Sequence, residues 1–185
     1  VVQAPPGGGD PGLLLFLRDV LKGGPLTEGG VYVSRSANAD DWSWPDRRLL
    51  PTLDRYTYLL AGKRAASIVT QYGCPFSCTF CSRPEHMVKY RGLEHVRGEL
   101  RDIKSLGYEA IMCYDDEANL RRERFGQIAK LLASEGLSWR AFVKSELFDW
   151  DQARLAKETG CVALCTGIES ASPRIKKLVK KTNTI

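Results

Sequence analysis

From residue 66 onward the chain alternates between short β-rich runs and segments with helical periodicity, and this alternation strongly limits the folds that it can adopt. The runs predicted as strands are 66–72, 108–114, 137–143 and 161–168, and the segments predicted as helices are 93–106, 121–135, 151–159 and 173–181. Strands that alternate with helices form a parallel sheet with helices packed on its faces. The sequence therefore predicts an α/β fold with about four βα units.

Apolar spacing and turn residues support the helix assignments. Val96, Leu100 and Ile103 share one face of the first predicted helix. Ser172-Pro173 opens the last one, because proline is favoured in the first turn of a helix. In parallel α/β sheets, binding residues gather at the carboxyl ends of the strands. The segments that follow the predicted strands are therefore the candidate functional segments.

The region before residue 66 lacks this alternation. Residues 1–24 predict the end of a strand, a loop rich in glycine and proline, and an apolar helix over residues 13–22 that Gly23-Gly24 ends. Residues 25–65 carry scattered Pro, Gly, Asp and Ser without sustained periodicity, which is typical of a linker that wraps a domain surface. The predicted boundaries are therefore 1–24, 25–65 and 66–185.

Composition and charge exclude several classes of protein. The longest apolar run, residues 13–17, is far shorter than the roughly 20 residues that a membrane span needs, and the sequence therefore predicts no membrane association. The net charge is +5 and the basic residues are interspersed with acidic ones, which does not favour a nucleic-acid partner. Six cysteines without a secretion signal indicate a reducing compartment, and the predicted location is cytoplasmic.

Three closely spaced cysteines follow the first predicted strand. Cys74, Cys78 and Cys81 form a C-x3-C-x2-C pattern. Thiolates are soft ligands suited to iron–sulfur clusters and zinc, and this spacing lets one loop bring three sulfurs to one centre. A four-iron cluster held by three thiolates keeps one iron open for an exogenous ligand. The alternative is a structural zinc site closed by His86 or Cys113, although the paired C-x2-C units typical of zinc sites are absent.

Phe80 directly precedes the third cysteine, and the loop resembles the signature of the radical S-adenosylmethionine (SAM) superfamily. Residues 72–82 are similar to the version found in cobalamin-dependent members. The resemblance implies a partial (β/α)6 barrel, a 4Fe-4S cluster on the three cysteines, SAM bound to the open iron, and Phe80 packed near the adenine. It also implies that a low-potential electron donor, such as flavodoxin or ferredoxin, drives reductive cleavage of SAM to a 5′-deoxyadenosyl radical.

Polar side chains follow the other predicted strands. Asp115, Asp116 and Glu117 come after the second strand, and three such carboxylates are in themselves typical of a helix start or of a hard-metal site. The resemblance assigns them to the methionyl ammonium of SAM, a group with three donors and no acceptor. Lys144, after the third strand, is the candidate partner of the methionyl carboxylate, and Arg140 is a second cation on that strand.

The fourth predicted strand ends in Gly167-Ile168-Glu169-Ser170. This segment resembles the G-x-E-S segment of the radical SAM family. In that family its side chains bind the ribose hydroxyls, and a carboxylate is a suitable acceptor for a vicinal diol. The resemblance therefore assigns Glu169 and Ser170 to the ribose of SAM.

The resemblance also extends to the upstream region. Residues 1–24 resemble the end of a cobalamin-binding domain, and Pro45-Asp46-Arg47 lies in the segment that would join it to the barrel. The D-x-H-x-x-G loop that commonly supplies a cobalt ligand is absent, so cobalamin is implied by the resemblance alone.

The function that the resemblance implies is cobalamin-dependent methyl transfer, or related radical chemistry, on an unreactive carbon of a small molecule. One alternative is a cobalamin-independent radical SAM enzyme that modifies RNA or a peptide. Another is a non-catalytic metal-binding module or a truncated copy. The sequence does not indicate which residues are catalytic.

Overall fold

The structure is a computed structural model that describes residues 2–3, 21, 32–33, 39–41, 43–49, 55, 58–82 and 87–181. The chain divides into two compact units, residues 1–45 and 46–185. In the first unit, β1 (Val2–Gln3) pairs in parallel with β2 (Tyr32–Val33). Apart from Leu21, the helix predicted over residues 13–22 lies outside the described residues.

The second unit contains the predicted alternation of strands and helices. Its strands are β3 (Tyr58–Leu60), β4 (Lys63–Ile68), β5 (Gln71–Tyr72), β6 (Lys89–Tyr90), β7 (Ala110–Cys113), β8 (Ser138–Phe142) and β9 (Cys161–Cys165). Its helices are α1 (Leu93–Ser105), α2 (Arg122–Ser134), α3 (Trp150–Glu158) and α4 (Pro173–Leu178). The main sheet has the order β3-β4-β7-β8-β9, in which β4, β7, β8 and β9 are parallel. This arrangement confirms the predicted partial barrel.

An antiparallel strand extends the sheet at one edge. β3 pairs with β4 through a turn at Ala61 and Gly62, both of which have positive φ. Residues 58–65 of the predicted linker are therefore part of the sheet, and the boundary between the compact units falls after residue 45. The sequence signal for β3 is weak because the strand has only three residues and two of its side chains face solvent.

Helices cover one face of the sheet and enclose the core. The buried side chains of α1 include Val96, Leu100 and Ile103, as their spacing predicts. Trp139 of β8 packs edge-on against Phe125 of α2, with ring centroids 5.8 Å apart. Burial of these apolar side chains is the main stabilising contribution to the sheet–helix unit. None of the helices in the described parts of the chain is long and apolar enough to span a membrane.

A buried ionic network supports the carboxyl end of β4. Glu99 of α1 lies between two arginines, with its carboxylate oxygens 2.9 Å from Arg47 Nη2 and 2.7 Å from Arg91 Nη1. Arg47 Nη2 also donates to the Ser67 carbonyl at 2.8 Å, and Arg91 Nη1 donates to the Val69 carbonyl at 2.7 Å. A buried carboxylate needs such partners, since an isolated buried charge is strongly destabilising. The network therefore holds the end of β4 against α1.

Candidate cofactor site

The cysteine loop, which carries Cys74, Cys78 and Cys81, lies between β5 and β6 and follows β4 in the chain. These two short strands pair in antiparallel fashion, with Gln71 opposite Tyr90 and Tyr72 opposite Lys89. The ladder brings the two ends of residues 73–88 together at the carboxyl edge of the parallel strands, where binding sites in such sheets are found.

The three cysteines of the loop are free thiols. Cys74 and Cys78 are half-buried, and Cys81 is exposed. The Cys81 N–H donates to the Cys78 carbonyl at 3.1 Å, which forms a turn between these two residues. Among the described residues, no three Cys, His, Asp or Glu side chains converge on one point that could hold a metal ion. The donor chemistry fits an iron–sulfur cluster, because three reduced and accessible thiols lie on one short loop.

Asp115, at the end of β7, is buried and holds the connection between β4 and β5. Its Oδ1 accepts hydrogen bonds from the N–H groups of Thr70 at 2.5 Å and Gln71 at 3.2 Å. Its Oδ2 accepts from the Thr70 hydroxyl at 2.5 Å. Burial raises the pKa of Asp115, whereas the hydrogen bonds from Thr70 and Gln71 lower it. Both carboxylate oxygens are therefore engaged by the backbone and side chain just upstream of the cysteine loop.

The next two acidic residues make similar contacts. Asp116 Oδ2 accepts from the Gly73 N–H at 3.0 Å, and the Glu117 carbonyl accepts from Gln71 Nε2 at 2.7 Å. The acidic segment thus contacts residues 70–73, which lead directly into Cys74. Sequence reasoning did not find this role, since the partner Thr70 lies 45 residues upstream of Asp115.

Lys144, two residues after the end of β8, also contacts the cysteine loop. Its Nζ lies 4.1 Å from the centroid of the Phe76 ring and 3.2 Å from Glu146 Oε2. Buried Asn119 fixes the Lys144 backbone: its Oδ1 accepts from the Lys144 N–H at 2.8 Å, and its Nδ2 donates to the Lys144 carbonyl at 3.0 Å. The structure therefore places the predicted cation against the loop, and it adds Asn119 and Glu146 as supporting residues.

The segment after β9 forms a tight turn. Glu169 has a φ of 63°, and its side chain folds back over Gly167, where a Cβ would lie 2.5 Å from Glu169 Oε1. A side chain at position 167 would therefore displace the Glu169 carboxylate. Glu169 Oε1 is also 3.7 Å from Lys181 Nζ, and Ser170 Oγ accepts from the Ser172 N–H at 3.1 Å.

A further contact ties the cysteine loop to the end of α4. The Thr79 N–H donates to the Val179 carbonyl at 3.0 Å, although these residues are far apart in sequence. Phe80, the next residue, is 54% exposed and therefore accessible to a ligand. Segments that follow β7, β8 and α4 thus all contact the loop. Arg140, the second predicted cation, instead lies within β8 and donates to the Tyr58 hydroxyl at 2.9 Å.

Cys113, one of the two candidate fourth ligands of a zinc site, is not part of this arrangement. Cys113 is buried in the hydrophobic core, where burial raises the pKa of its thiol well above the usual value. Burial also raises the pKa of Cys161 to about 11. These shifts oppose formation of the thiolate that binds a metal. His86 lies outside the described residues.

Comparison with known proteins defines the class. Residues 68–185 match the family model of the radical SAM superfamily. The chain therefore belongs to that superfamily.

Several curated proteins are similar to the chain. It is 36% identical to an uncharacterized methyltransferase of Pyrococcus horikoshii over 150 residues, which are 78% of this chain and 32% of that protein. It is 29% identical to the bacteriochlorophyllide d C-12(1)-methyltransferase of Chlorobaculum tepidum over 121 residues, which are 62% of this chain and 26% of that protein. It is 27% identical to the anaerobic magnesium-protoporphyrin IX monomethyl ester cyclase of Rubrivivax gelatinosus over 139 residues, which are 71% of this chain and 25% of that protein. The chain thus spans about a third or less of each relative.

The fold is also similar to that of TsrM, a radical S-adenosylmethionine methyltransferase from Kitasatospora setae. The TsrM structure with cobalamin and a 4Fe-4S cluster bound has a TM-score of 0.58 and 21% identity, and the match covers 67% of this chain and 26% of that chain. A TsrM structure with tryptophan substrate and the SAM analogue aza-SAM bound has a TM-score of 0.57 at 21% identity, over 65% of this chain and 25% of that chain. At this identity the likeness concerns the fold.

Proposed function

We propose that this chain forms the cluster- and SAM-binding part of a cobalamin-dependent radical SAM methyltransferase. The observation that carries the proposal is the cysteine loop, with three free thiols, held at the carboxyl edge of the parallel sheet by Asp115 and Asp116. The methyltransferase names of two relatives support the reaction class. Cobalamin is supported by the likeness to TsrM and by the resemblance of residues 72–82 to cobalamin-dependent enzymes.

Cys74, Cys78 and Cys81 would hold the 4Fe-4S cluster, and the iron without a protein ligand would bind SAM. When bound, the reduced cluster and SAM supply radical chemistry, and cobalamin supplies methyl transfer. The protein residues bind and orient these groups. Asp116 holds the Gly73 backbone and thereby the entry to the loop, which sets where the first cysteine lies.

The cofactor contacts follow from the chemistry of the side chains around the loop. The half-buried Glu117 carboxylate is suited to the methionyl ammonium, and Asp116 lies beside it. Lys144 is suited to the methionyl carboxylate, which would replace Glu146 as its ionic partner. Glu169 and Ser170 are suited to the ribose hydroxyls, and exposed Phe80 to the adenine ring. Asp115 acts differently, because its carboxylate oxygens hold Thr70 and Gln71.

The test uses the full-length protein with its cluster reconstituted under anaerobic conditions and with cobalamin added. We expect SAM to change the electron paramagnetic resonance (EPR) spectrum of the reduced cluster, and we expect mass spectrometry to detect SAM cleavage products and methylated cobalamin. A cluster whose spectrum does not respond to saturating SAM would remove the enzyme assignment. SAM cleavage without any methylation of the added cobalamin would instead favour the cobalamin-independent alternative.

Glu117→Gln and Glu169→Gln should each weaken SAM binding by about tenfold, because each change removes a charge-assisted hydrogen bond to the ligand. The iron content should stay at the wild-type level, since neither residue is a cluster ligand. Equilibrium titration of the EPR change with SAM measures this effect. Glu123→Gln, an exposed change in the first turn of α2, is the matched control and should have no effect. Loss of the cluster in either test variant would contradict the assigned roles.

A further inference from the structure

A basic patch lies on the last described segment of the chain. Arg174, Lys177 and Lys180 are exposed and follow one another at intervals of three residues, which places Arg174 and Lys177 on one face of α4. None of the three forms an ion pair with an acidic side chain in the described part of the chain. Leu178, which is 68% exposed, adds an apolar contact surface beside them.

The segment that carries this patch contains most of the basic excess of the chain. Residues 169–181 contain five basic residues and one acidic residue, a net charge of +4, against +5 for the whole chain. The one acidic residue, Glu169, is paired with Lys181. Although basic and acidic residues are interspersed along the sequence, most of the net positive charge therefore lies in this segment, next to the candidate cofactor site.

The patch is adjacent to the cysteine loop. The Val179 carbonyl, between Leu178 and Lys180, accepts a hydrogen bond from the Thr79 N–H, and Thr79 directly follows Cys78. A protein that docks on this patch would therefore come close to the loop that carries the proposed cluster. An electron has to reach that cluster from outside the protein, because the proposed reaction begins with a one-electron reduction.

We propose that Arg174, Lys177 and Lys180, together with Leu178, form the docking surface for an acidic one-electron carrier protein, such as a reduced flavodoxin. The inference rests on the proposed function, in which the carrier loses one electron and the oxidised cluster gains it. Complementary charge accelerates encounter between such partners. RNA is the other polyanion that a basic surface can bind, but α4 carries no aromatic side chain on which bases could stack.

The test is a charge reversal of the patch in the full-length protein. The triple variant Arg174→Glu, Lys177→Glu and Lys180→Glu should be reduced by flavodoxin hydroquinone at least about tenfold more slowly than the wild type at low ionic strength. The difference should shrink as salt screens the charges. Stopped-flow absorbance of the cluster measures the rate. Photoreduced 5-deazariboflavin, a small reductant that needs no docking surface, should reduce both proteins equally.

A second triple variant is the matched control. Lys130→Glu, Arg154→Glu and Lys157→Glu reverse three exposed charges on α2 and α3, and reduction by flavodoxin should then keep its wild-type rate. Equal slowing in the two triple variants, or no slowing in the patch variant, would overturn the inference. So would a patch variant that loses binding of a single-stranded RNA oligonucleotide, measured by fluorescence anisotropy, yet keeps its rate with flavodoxin. If the proposed function itself is wrong, the cluster will be absent, or its EPR spectrum will not respond to SAM after reduction with deazariboflavin.

Discussion

Replacing Cys78 with alanine in the full-length protein is expected to abolish the 4Fe-4S cluster. A four-iron cluster held by three thiolates and one exogenous ligand requires each of its three protein ligands. Cys113 and Cys161 are poor replacements, because Cys113 is buried in the core and Cys161 has a raised pKa. Cys165 lies in β9, outside the cysteine loop. Iron and sulfide analysis after anaerobic reconstitution, together with the visible spectrum, measures the loss.

The control for this prediction is Cys165→Ala. Cys165 is a half-buried free thiol in β9, outside the cysteine loop, and its removal should leave the iron content unchanged. Four irons per chain in Cys78→Ala would contradict the predicted ligand set. A wild-type protein that binds one zinc tightly and takes up no iron would show that the zinc alternative is correct.

Asp115→Ala is expected to destabilise residues 70–73, which lead into the cysteine loop. The change leaves the N–H groups of Thr70 and Gln71 without their acceptor and the Thr70 hydroxyl without its partner. Loss of hydrogen bonds to a buried charged group costs about 3 kcal/mol, which corresponds to a roughly hundredfold increase in local opening. Hydrogen exchange followed by mass spectrometry should therefore show faster exchange at residues 70–73. Reconstituted iron content should also fall, since the loop is no longer held in place.

Asp151→Ala is the matched control, because it removes an acidic side chain that is 68% exposed, at the start of α3. Exchange at residues 70–73 should keep its wild-type rate in this variant. Asp115→Asn should lie between wild type and Asp115→Ala, since the amide oxygen can still accept from the backbone N–H groups. Unchanged exchange in Asp115→Ala would mean that β5 and β6 hold the loop without the acidic segment.

Local patterns were sufficient to predict most elements of the sheet–helix unit. The predicted helix 93–106 is observed as α1 (Leu93–Ser105), and the predicted strand 137–143 as β8 (Ser138–Phe142). These elements were predictable because their apolar spacing follows from burying one face against the core. β3 was missed, since a three-residue edge strand with exposed side chains leaves no such spacing.

The prediction that the cysteine loop binds an iron–sulfur cluster likewise comes from the sequence alone, because three thiols at this spacing form a local donor set that needs no distant residue. The roles of the acidic residues were decided only by the tertiary structure. Asp115 carries the same carboxylate as Glu117, yet it is buried against Thr70, whose position depends on the pairing of β4 with β7. The contact of Thr79 with Val179 depends in the same way on how the last βα unit packs. Such long-range hydrogen bonds are set by strand order and helix packing, and no local pattern encodes them.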